Sequence, residues 1–302
     1  MFETLKNVFR VKEMRRKLLY LIWMIFIIRI GCQIPVPGVD SDFFKQWFSS
    51  NAGDAFNFFD AFTGGSFERM SIFALNITPY ITSSIIIQLL TIAIPALEEM
   101  QRDGEEGRKK MTAITRYVTV GLALFESIAM AIGFGRQGMI PNLDFFKGVV
   151  VVACLTAGSA MLMWLGERIT EKGVGNGISI VLTINIISRV PSDLTLLYEN
   201  FIKGKTIAKG TLAGLIIAAV ILLVVVLVLI LNGAERRIPV QYSKKMVGRK
   251  LMGGQSTNIP LKVNTAGVIP VIFASSIMSF PAVIAQLTGK GNGTGIGSEI
   301  IR

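Results

Sequence analysis

Seven apolar stretches, each long enough to cross a lipid bilayer, constrain the fold of this chain more than any other feature. They lie at about residues 18–35, 73–95, 112–134, 148–165, 176–193, 211–232 and 265–287. A hydrocarbon core about 30 Å thick requires roughly 20 mostly apolar residues per helix. The sequence therefore predicts an all-α membrane protein with several spans. The first stretch has no small-residue cleavage site and further spans follow it, so we interpret it as a span rather than a signal peptide.

The composition of the chain argues against most classes of enzyme. The chain has no histidine, the commonest general base and metal ligand among side chains. Its two cysteines, Cys32 and Cys154, lie inside apolar stretches, where we expect small buried side chains rather than a disulfide or metal ligands. The sequence has no glycine-rich phosphate loop, no nucleophile elbow and no aspartate pair for an intramembrane protease. We predict no enzyme, no catalytic or metal-binding residues and no cofactor.

The distribution of positive charge indicates an orientation in the membrane. If the spans alternate, residues 1–17, 96–116, 166–175 and 233–262 share one side, and they hold 20 of the 31 lysines and arginines. Because cytoplasmic loops carry the excess of basic residues, the sequence predicts a cytoplasmic N-terminal segment at 1–17.

The basic loop at 233–262 is longer than a simple connection between spans requires. Its apolar and polar residues partly alternate, which predicts a hairpin. Two interpretations stay open: contact with anionic lipid headgroups, or docking to an acidic partner or an RNA backbone. The basic side chains concerned are Arg236, Arg237, Lys244, Lys245, Arg249 and Lys250.

Two of the stretches are interrupted near their beginnings. Pro79 lacks a backbone donor, so the second stretch should kink or break near it. Freed carbonyl groups are tolerated at membrane depth only inside protein or facing a water-filled cavity. Glycines surround the start of the fifth stretch, where Asn176 is a candidate helix N-cap.

Branched apolar residues stand four apart at both interrupted beginnings. Ile77 and Ile81 form one such pair, and Ile178 and Leu182 form the other. Because residues at this spacing share a helix face, we expect each pair to face the interior of the protein.

The approach to the second stretch, at 59–73, is semi-apolar but too short to span, and Gly64-Gly65 interrupts it. We predict a re-entrant element that folds back into the protein. Its charged residues, Glu68 and Arg69, are expected to stay near water.

Four motifs carry a resemblance to a known family. They are "RIGCQIPVPGVD", "SIFALNITPYITSSIIIQLL", "WLGERITEKGVGNGISI" and "QSTNIPLKVNTAGVIPVIFASSI". The chain resembles the SecY family, the channel subunits of bacterial protein-conducting translocons, along essentially its whole length. The resemblance implies ten helices in two inverted, pseudo-symmetric halves around a pore. It divides this chain into a first half at 18–193 and the start of a second half at 194–302. Because only seven spans are visible, we expect an N-terminal portion of a longer chain.

The resemblance also implies roles for individual residues. An apolar ring that seals the pore would comprise Ile77, Ile81, Ile178, Leu182 and Ile272. A plug at about 59–72 would include Phe62, Gly64, Gly65, Phe67, Glu68, Arg69 and Met70. A lateral gate would lie between the second and third spans on one side and the seventh span on the other. Its residues would be Thr82, Ser83, Ser84, Ser275 and Ser276. The basic hairpin would dock the ribosome or the motor.

The implied function is the passage of unfolded secretory polypeptides across the bacterial plasma membrane, and of signal or transmembrane segments laterally into it. The implied partners are SecE, SecG, the SecA motor, the ribosome, signal peptides, secretory polypeptides and anionic lipids. The alternative is a secondary transporter, which also uses broken helices. Glu126 is the one clear carboxylate within the spans that could serve ion coupling, although we favour a structural role.

Overall fold

The structure is a computed structural model that describes residues 11–41, 43–46, 60–136, 138, 140, 144–203, 207–240, 245–247, 250–252, 257–265, 267 and 274. The chain divides into two compact units. The first comprises Met1–Pro191 with Ile272–Arg302, and the second comprises Ser192–Val271.

The described part of the first unit is helical. Its helices are α1 (Lys12–Gly31), α2 (Thr78–Ala93), α3 (Pro95–Arg102), α4 (Gly104–Arg136), α5 (Phe145–Lys172) and α6 (Gly177–Phe201), the last of which continues into the second unit. The described residues of the second unit add α7 (Ile207–Gly233) and the strands β1 (Glu235–Val240), β2 (Lys245–Val247), β3 (Lys250–Met252) and β4 (Thr257–Lys262).

Helices α4 to α7 are each long and apolar enough to cross a membrane, and the bent pair α2 and α3 could form a fifth span. The predicted multi-pass helical protein is therefore confirmed within the described residues. The seventh predicted stretch, 265–287, lies almost entirely outside them.

The first predicted span, 18–35, has different bounds in the structure. Helix α1 begins earlier, at Lys12, and ends at Gly31. It ends there because Pro35 and Pro37 follow, and residues next to proline disfavour helix. The chain beyond instead pairs with a later segment: Val36 N donates to Met70 O over 3.0 Å, and Ile72 N donates to Ile34 O over 3.0 Å. Because of the charged residues at its start, α1 is not among the described helices whose length and composition fit a membrane span.

The two prolines of the second predicted span act differently from each other. Pro79 lies in the first turn of α2, where a missing N–H costs no helical hydrogen bond, so the interruption lies before the helix rather than within it. Pro95 begins α3 after an extended residue, Ile94, and the two helix axes differ by 104°. The sharp bend that the sequence interpretation missed is therefore at Pro95.

Two apolar clusters form the core of the first unit. One gathers Phe44, Phe67 and Phe134, with Phe44 edge-on to Phe134 at a centroid distance of 5.0 Å and to Phe67 at 5.9 Å. The other packs α1, the start of α2, α5 and the start of α6 together. The two helices α4 and α5 are further joined by a bidentate ion pair, with Arg116 Nε 2.9 Å from Glu167 Oε1.

Gly158 of α5 allows the chain at Ile72 to lie directly against that helix. A Cβ atom at position 158 would lie 2.0 Å from the carbonyl oxygen of Ile72. We expect Gly158→Ala to displace this contact and destabilise the protein by about 1–3 kcal/mol, the usual cost of overpacking a core. Thermal unfolding in detergent measures the change. Gly148→Ala in the same helix, where a Cβ meets nothing within 4 Å, is the matched control. Equal transition temperatures for the two variants would contradict the expectation.

Candidate pore constriction, plug segment and basic hairpin

Three of the predicted ring residues meet in one apolar cluster. Ile77, the residue before α2, is fully buried, while Ile81 and Ile178 are half-buried and pack against the same cluster. The other buried members of this cluster are Met24, Ile28, Cys32, Phe73, Leu162, Leu165, Ile169 and Val181. Leu182 is half-buried on α6 and is not among the residues of this cluster, and Ile272 lies outside the described residues.

The end of α5 positions the start of α6. The side-chain oxygen of Asn176 accepts hydrogen bonds from Ile178 N at 3.1 Å and Ser179 N at 3.5 Å, which confirms the predicted N-cap. The hydroxyl of Thr170 accepts a hydrogen bond from Gly177 N over 2.8 Å. Because both ends of this connection are hydrogen-bonded, the Ile178 side chain has a defined place against α5.

The predicted plug is described over residues 60–72, which we call the plug segment. It forms one helical turn at 60–63 and then a series of turns. Phe67 and Met70 are fully buried, whereas Phe62, Gly64, Gly65 and Glu68 are half-buried. Arg69 is exposed and hydrogen-bonds to Gln33, as expected for a charged side chain near water.

A buried ion pair joins the plug segment to α6, and the sequence interpretation missed it. Asp60 is fully buried and forms an ion pair with Arg189, whose side chain is 21% exposed. The other carboxylate oxygen of Asp60 accepts from Glu68 N at 2.9 Å and from the Thr63 hydroxyl at 3.1 Å. Since a buried carboxylate is stable only with such partners, the pair fixes the first turn of the segment.

A second set of hydrogen bonds, partly or fully buried, runs from α1 to the same segment. Arg29 donates to the Ser188 hydroxyl over 2.7 Å and also to the side-chain oxygen of Asn185. Asn185 donates to the side-chain oxygen of Asn76 over 3.0 Å, and Asn76 donates to Phe62 O over 2.8 Å.

We refer to Arg29, Asp60, Asn76, Asn185, Ser188 and Arg189 together as the polar network. Its only signal in the sequence is that three of its members are charged residues within or beside apolar stretches.

Two of the residues predicted for the lateral gate donate hydrogen bonds to backbone carbonyl groups. Ser83 is buried and donates to Thr115 O of α4 over 2.8 Å, whereas Thr82 donates to Thr78 O in its own helix. Ser84 is half-buried. Ser275 and Ser276 lie outside the described residues.

The basic loop forms a hairpin, as predicted. Strand β1 pairs antiparallel with β4, with Arg236 opposite Leu261 and Arg237 opposite Pro260, and β2 pairs antiparallel with β3. Both arginines are exposed. Lys245 and Lys250 belong to β2 and β3, whereas Lys244 and Arg249 lie outside the described residues.

Comparison with known proteins gives one consistent result. The SecY family model matches residues 71–301. A protein translocase subunit SecY of Halalkalibacterium halodurans is 44% identical over 298 residues, which cover 96% of this chain and 68% of the relative. The chain belongs to the SecY family. Another member, the protein translocase subunit SecY of Escherichia coli K12, is 43% identical over 93% of this chain and 64% of its own length.

Solved structures of low sequence identity share the fold. One described as a protein-conducting channel has a TM-score of 0.58 at 19% identity, covering 94% of this chain and 60% of the other. Sec61 in a canine ribosome–channel complex from the endoplasmic reticulum has a TM-score of 0.56 at 18% identity, with the same coverage. The chain thus spans about two thirds of the length of its SecY relatives, and 60% of these structural neighbours.

Family membership decides between the classes that the sequence left open. SecY proteins are translocase subunits with several membrane-spanning helices, so the prediction of a multi-pass membrane protein that is not an enzyme is confirmed. The secondary-transporter alternative is not favoured. In the structure Glu126 is half-buried on α4.

Proposed function

We propose that this chain forms part of a channel that conducts unfolded secretory polypeptides across the bacterial plasma membrane. The same channel releases signal sequences and transmembrane segments laterally into the lipid. The observation that carries the proposal is the apolar cluster in which Ile77, Ile81 and Ile178 meet at the beginnings of helices α2 and α6. Because the chain belongs to the SecY family, we interpret this cluster as a pore constriction.

An apolar constriction suits this task physically. Water is unstable in a narrow apolar passage, so the passage resists ions by dewetting and needs no charged filter. Branched side chains can part around an extended chain and close again behind it, without preference for its sequence. Leu182 and Ile272 complete the proposed ring.

The plug segment closes the channel at rest in this proposal. In its support, Phe67 and Met70 are buried within the first unit, in the apolar cluster that also contains Phe44 and Phe134. The structure of a relative whose plug domain stabilises the closed state of the translocation channel has a TM-score of 0.55 with this chain. The gate would lie where Thr82, Ser84, Ser275 and Ser276 meet a signal sequence, with Ser83 holding α2 to α4.

The partners that we propose follow from the family and from charge. The ribosome and the SecA motor would bind on the cytoplasmic side, where the N-terminus and the basic hairpin lie, and SecE and SecG would pack beside the helices in the membrane. Anionic lipids would neutralise the remaining basic residues.

The basic hairpin gives a prediction about ribosome binding. Replacing Arg236 and Arg237 together with glutamate should weaken binding to ribosomes at least about tenfold at low salt, because counterion release from RNA phosphates drives such contacts. Co-sedimentation over a series of salt concentrations measures both the affinity and its salt dependence. Replacing Asn258 and Ile259 of β4 with threonine and valine alters the same hairpin without changing its charge. Ribosome binding that is insensitive to salt, and to the charge reversal, would contradict the proposed contact.

Reconstitution tests the proposed function as a whole. Proteoliposomes that contain the protein and its native partners should take up secretory chains only when these carry a signal sequence and the motor and ATP are supplied. Uptake of small solutes by the protein alone, without transport of secretory chains, would instead support a transporter.

A further inference from the structure

We propose that the polar network is a latch that holds the plug segment against α6 in the resting protein and must open before the segment can leave. The inference rests on the proposed function, since it assigns a control element to the same channel. It goes further in naming residues of α1 and α6 that lie outside the ring, the gate and the plug segment itself.

The ion pair between Asp60 and Arg189 is the first contact of the latch. Asp60 belongs to the first turn of the plug segment and is fully buried, so its charge depends on the guanidinium of α6. Moving the segment away from α6 would leave a buried charge without its partner, which proteins tolerate poorly. The position of the segment is therefore coupled to Arg189.

The hydrogen-bonded chain through Asn76 is the second contact. It leads from Arg29 on α1 through Asn185 on α6 and Asn76 to the backbone carbonyl of Phe62. Each side chain donates to the next, so removing one member takes a hydrogen bond from each of its neighbours in the chain. In a water-poor interior, consecutive hydrogen bonds strengthen one another, so the loss of one weakens the others.

The close approach of Gly64 to α6 is the third contact. A Cβ atom at position 64 would lie 2.6 Å from the carbonyl oxygen of Asn185 and 2.9 Å from the hydroxyl of Ser188. Gly65 has a similar left-handed conformation, with φ of 80° against 67° for Gly64, yet a Cβ there meets nothing within 4 Å. Of these two glycines, Gly64 is the one whose contact with α6 requires the absence of a side chain.

The first two contacts are polar, which sets the condition for opening. Water can replace each hydrogen bond and can solvate both charges, whereas an apolar side chain cannot. The latch is consequently firm in a dry resting channel and weak once water enters with a polypeptide.

Cysteine accessibility tests the latch directly. Ser66 of the plug segment is 1% exposed, so Ser66→Cys, in a protein whose Cys32 and Cys154 are replaced by alanine, should react slowly with a membrane-impermeant maleimide. Asp60→Asn or Arg189→Gln should each accelerate the reaction by at least about tenfold. The double variant should react no faster than either single variant, because no lone buried charge remains. Arg102→Gln, which breaks an exposed ion pair with Glu98 on α3, should change nothing.

The two neighbouring glycines provide a second test that removes no charge. Gly64→Ala should accelerate labelling at Ser66→Cys several times more than Gly65→Ala, although both substitutions strain a left-handed backbone. Thr119→Cys on α4, fully buried at rest, reports any general unfolding. If an ion-pair variant also exposes Thr119→Cys, that variant has unfolded more generally. The comparison of the two glycine variants then decides whether the latch exists. Equal labelling of those two variants, or ion-pair variants that label like the parent, would overturn the latch.

The outcome separates the latch from the channel. Labelling measures only whether the plug segment leaves α6, and it requires no transport. A protein that labels as expected but never conducts a secretory chain would keep the latch and refute the proposed function. If the protein conducts secretory chains, but substitutions in the polar network leave the labelling rate of Ser66→Cys unchanged, the latch alone is refuted.

Discussion

Replacing Ile81 and Ile178 together with serine is expected to make the resting channel leak ions. Both residues are half-buried beside the cluster of Ile77, on helices α2 and α6. Hydroxyl groups would stabilise water in the constriction, and a hydrated passage conducts. We expect the resting conductance of planar bilayers containing the assembled protein to rise at least several times.

The matched control for the ring uses the same two helices. Ile92 of α2 and Ile187 of α6 are 84% and 55% exposed, so their replacement by serine adds the same polarity away from the cluster. This control should leave the conductance at its resting value. A ring variant that conducts no more than this control would remove the side chains concerned from the proposed constriction.

Asn76→Ala is expected to lower the stability of the protein substantially. The substitution removes the hydrogen bond that Asn76 donates to Phe62 O and the one that it accepts from the Asn185 amide, at about 1–3 kcal/mol for each. It also places alanine at φ 53°. This left-handed conformation costs a residue that has a Cβ atom but no polar side chain about 1–2 kcal/mol. The transition temperature in detergent should fall by roughly 5–15 °C, taking the usual relation between stability and melting for a chain of this size.

Glycine at the same position separates the two causes. Asn76→Gly removes the same hydrogen bonds but adopts the left-handed conformation freely, so its transition temperature should lie between those of the parent protein and Asn76→Ala. An alanine variant as stable as the parent would show that the network contributes nothing to the resting structure.

Local patterns in the sequence were sufficient to predict several elements. Apolar length predicted the spans, the alternation in 233–262 predicted the hairpin, and the position of Asn176 predicted an N-cap, because each depends on residues close together in the chain. Periodicity also paired Ile77 with Ile81, although their burial differs, since Ile77 precedes the helix and is fully enclosed.

Contacts between distant parts of the chain could not be predicted in this way. The partners Asp60 and Arg189, or Asn76 and Asn185, are far apart in sequence, and no spacing rule connects them. The break predicted near Pro79 was misplaced for a related reason, and the bend at Pro95 was not predicted. A proline begins a helix or bends the chain according to where the hydrogen-bonded turns around it start, which depends on tertiary packing.

Cross-linking to a stalled secretory chain tests the central claim most directly. A photoreactive residue would be placed in turn at positions 81, 178 and 182 of the proposed ring, and at the exposed positions Trp23 and Ile92 as controls. We predict that a chain arrested during export cross-links to the ring positions, only when it carries a functional signal sequence, and not to the controls. Cross-links that are equally strong at the exposed positions, or absent from all three ring positions, would contradict a pore lined by these residues.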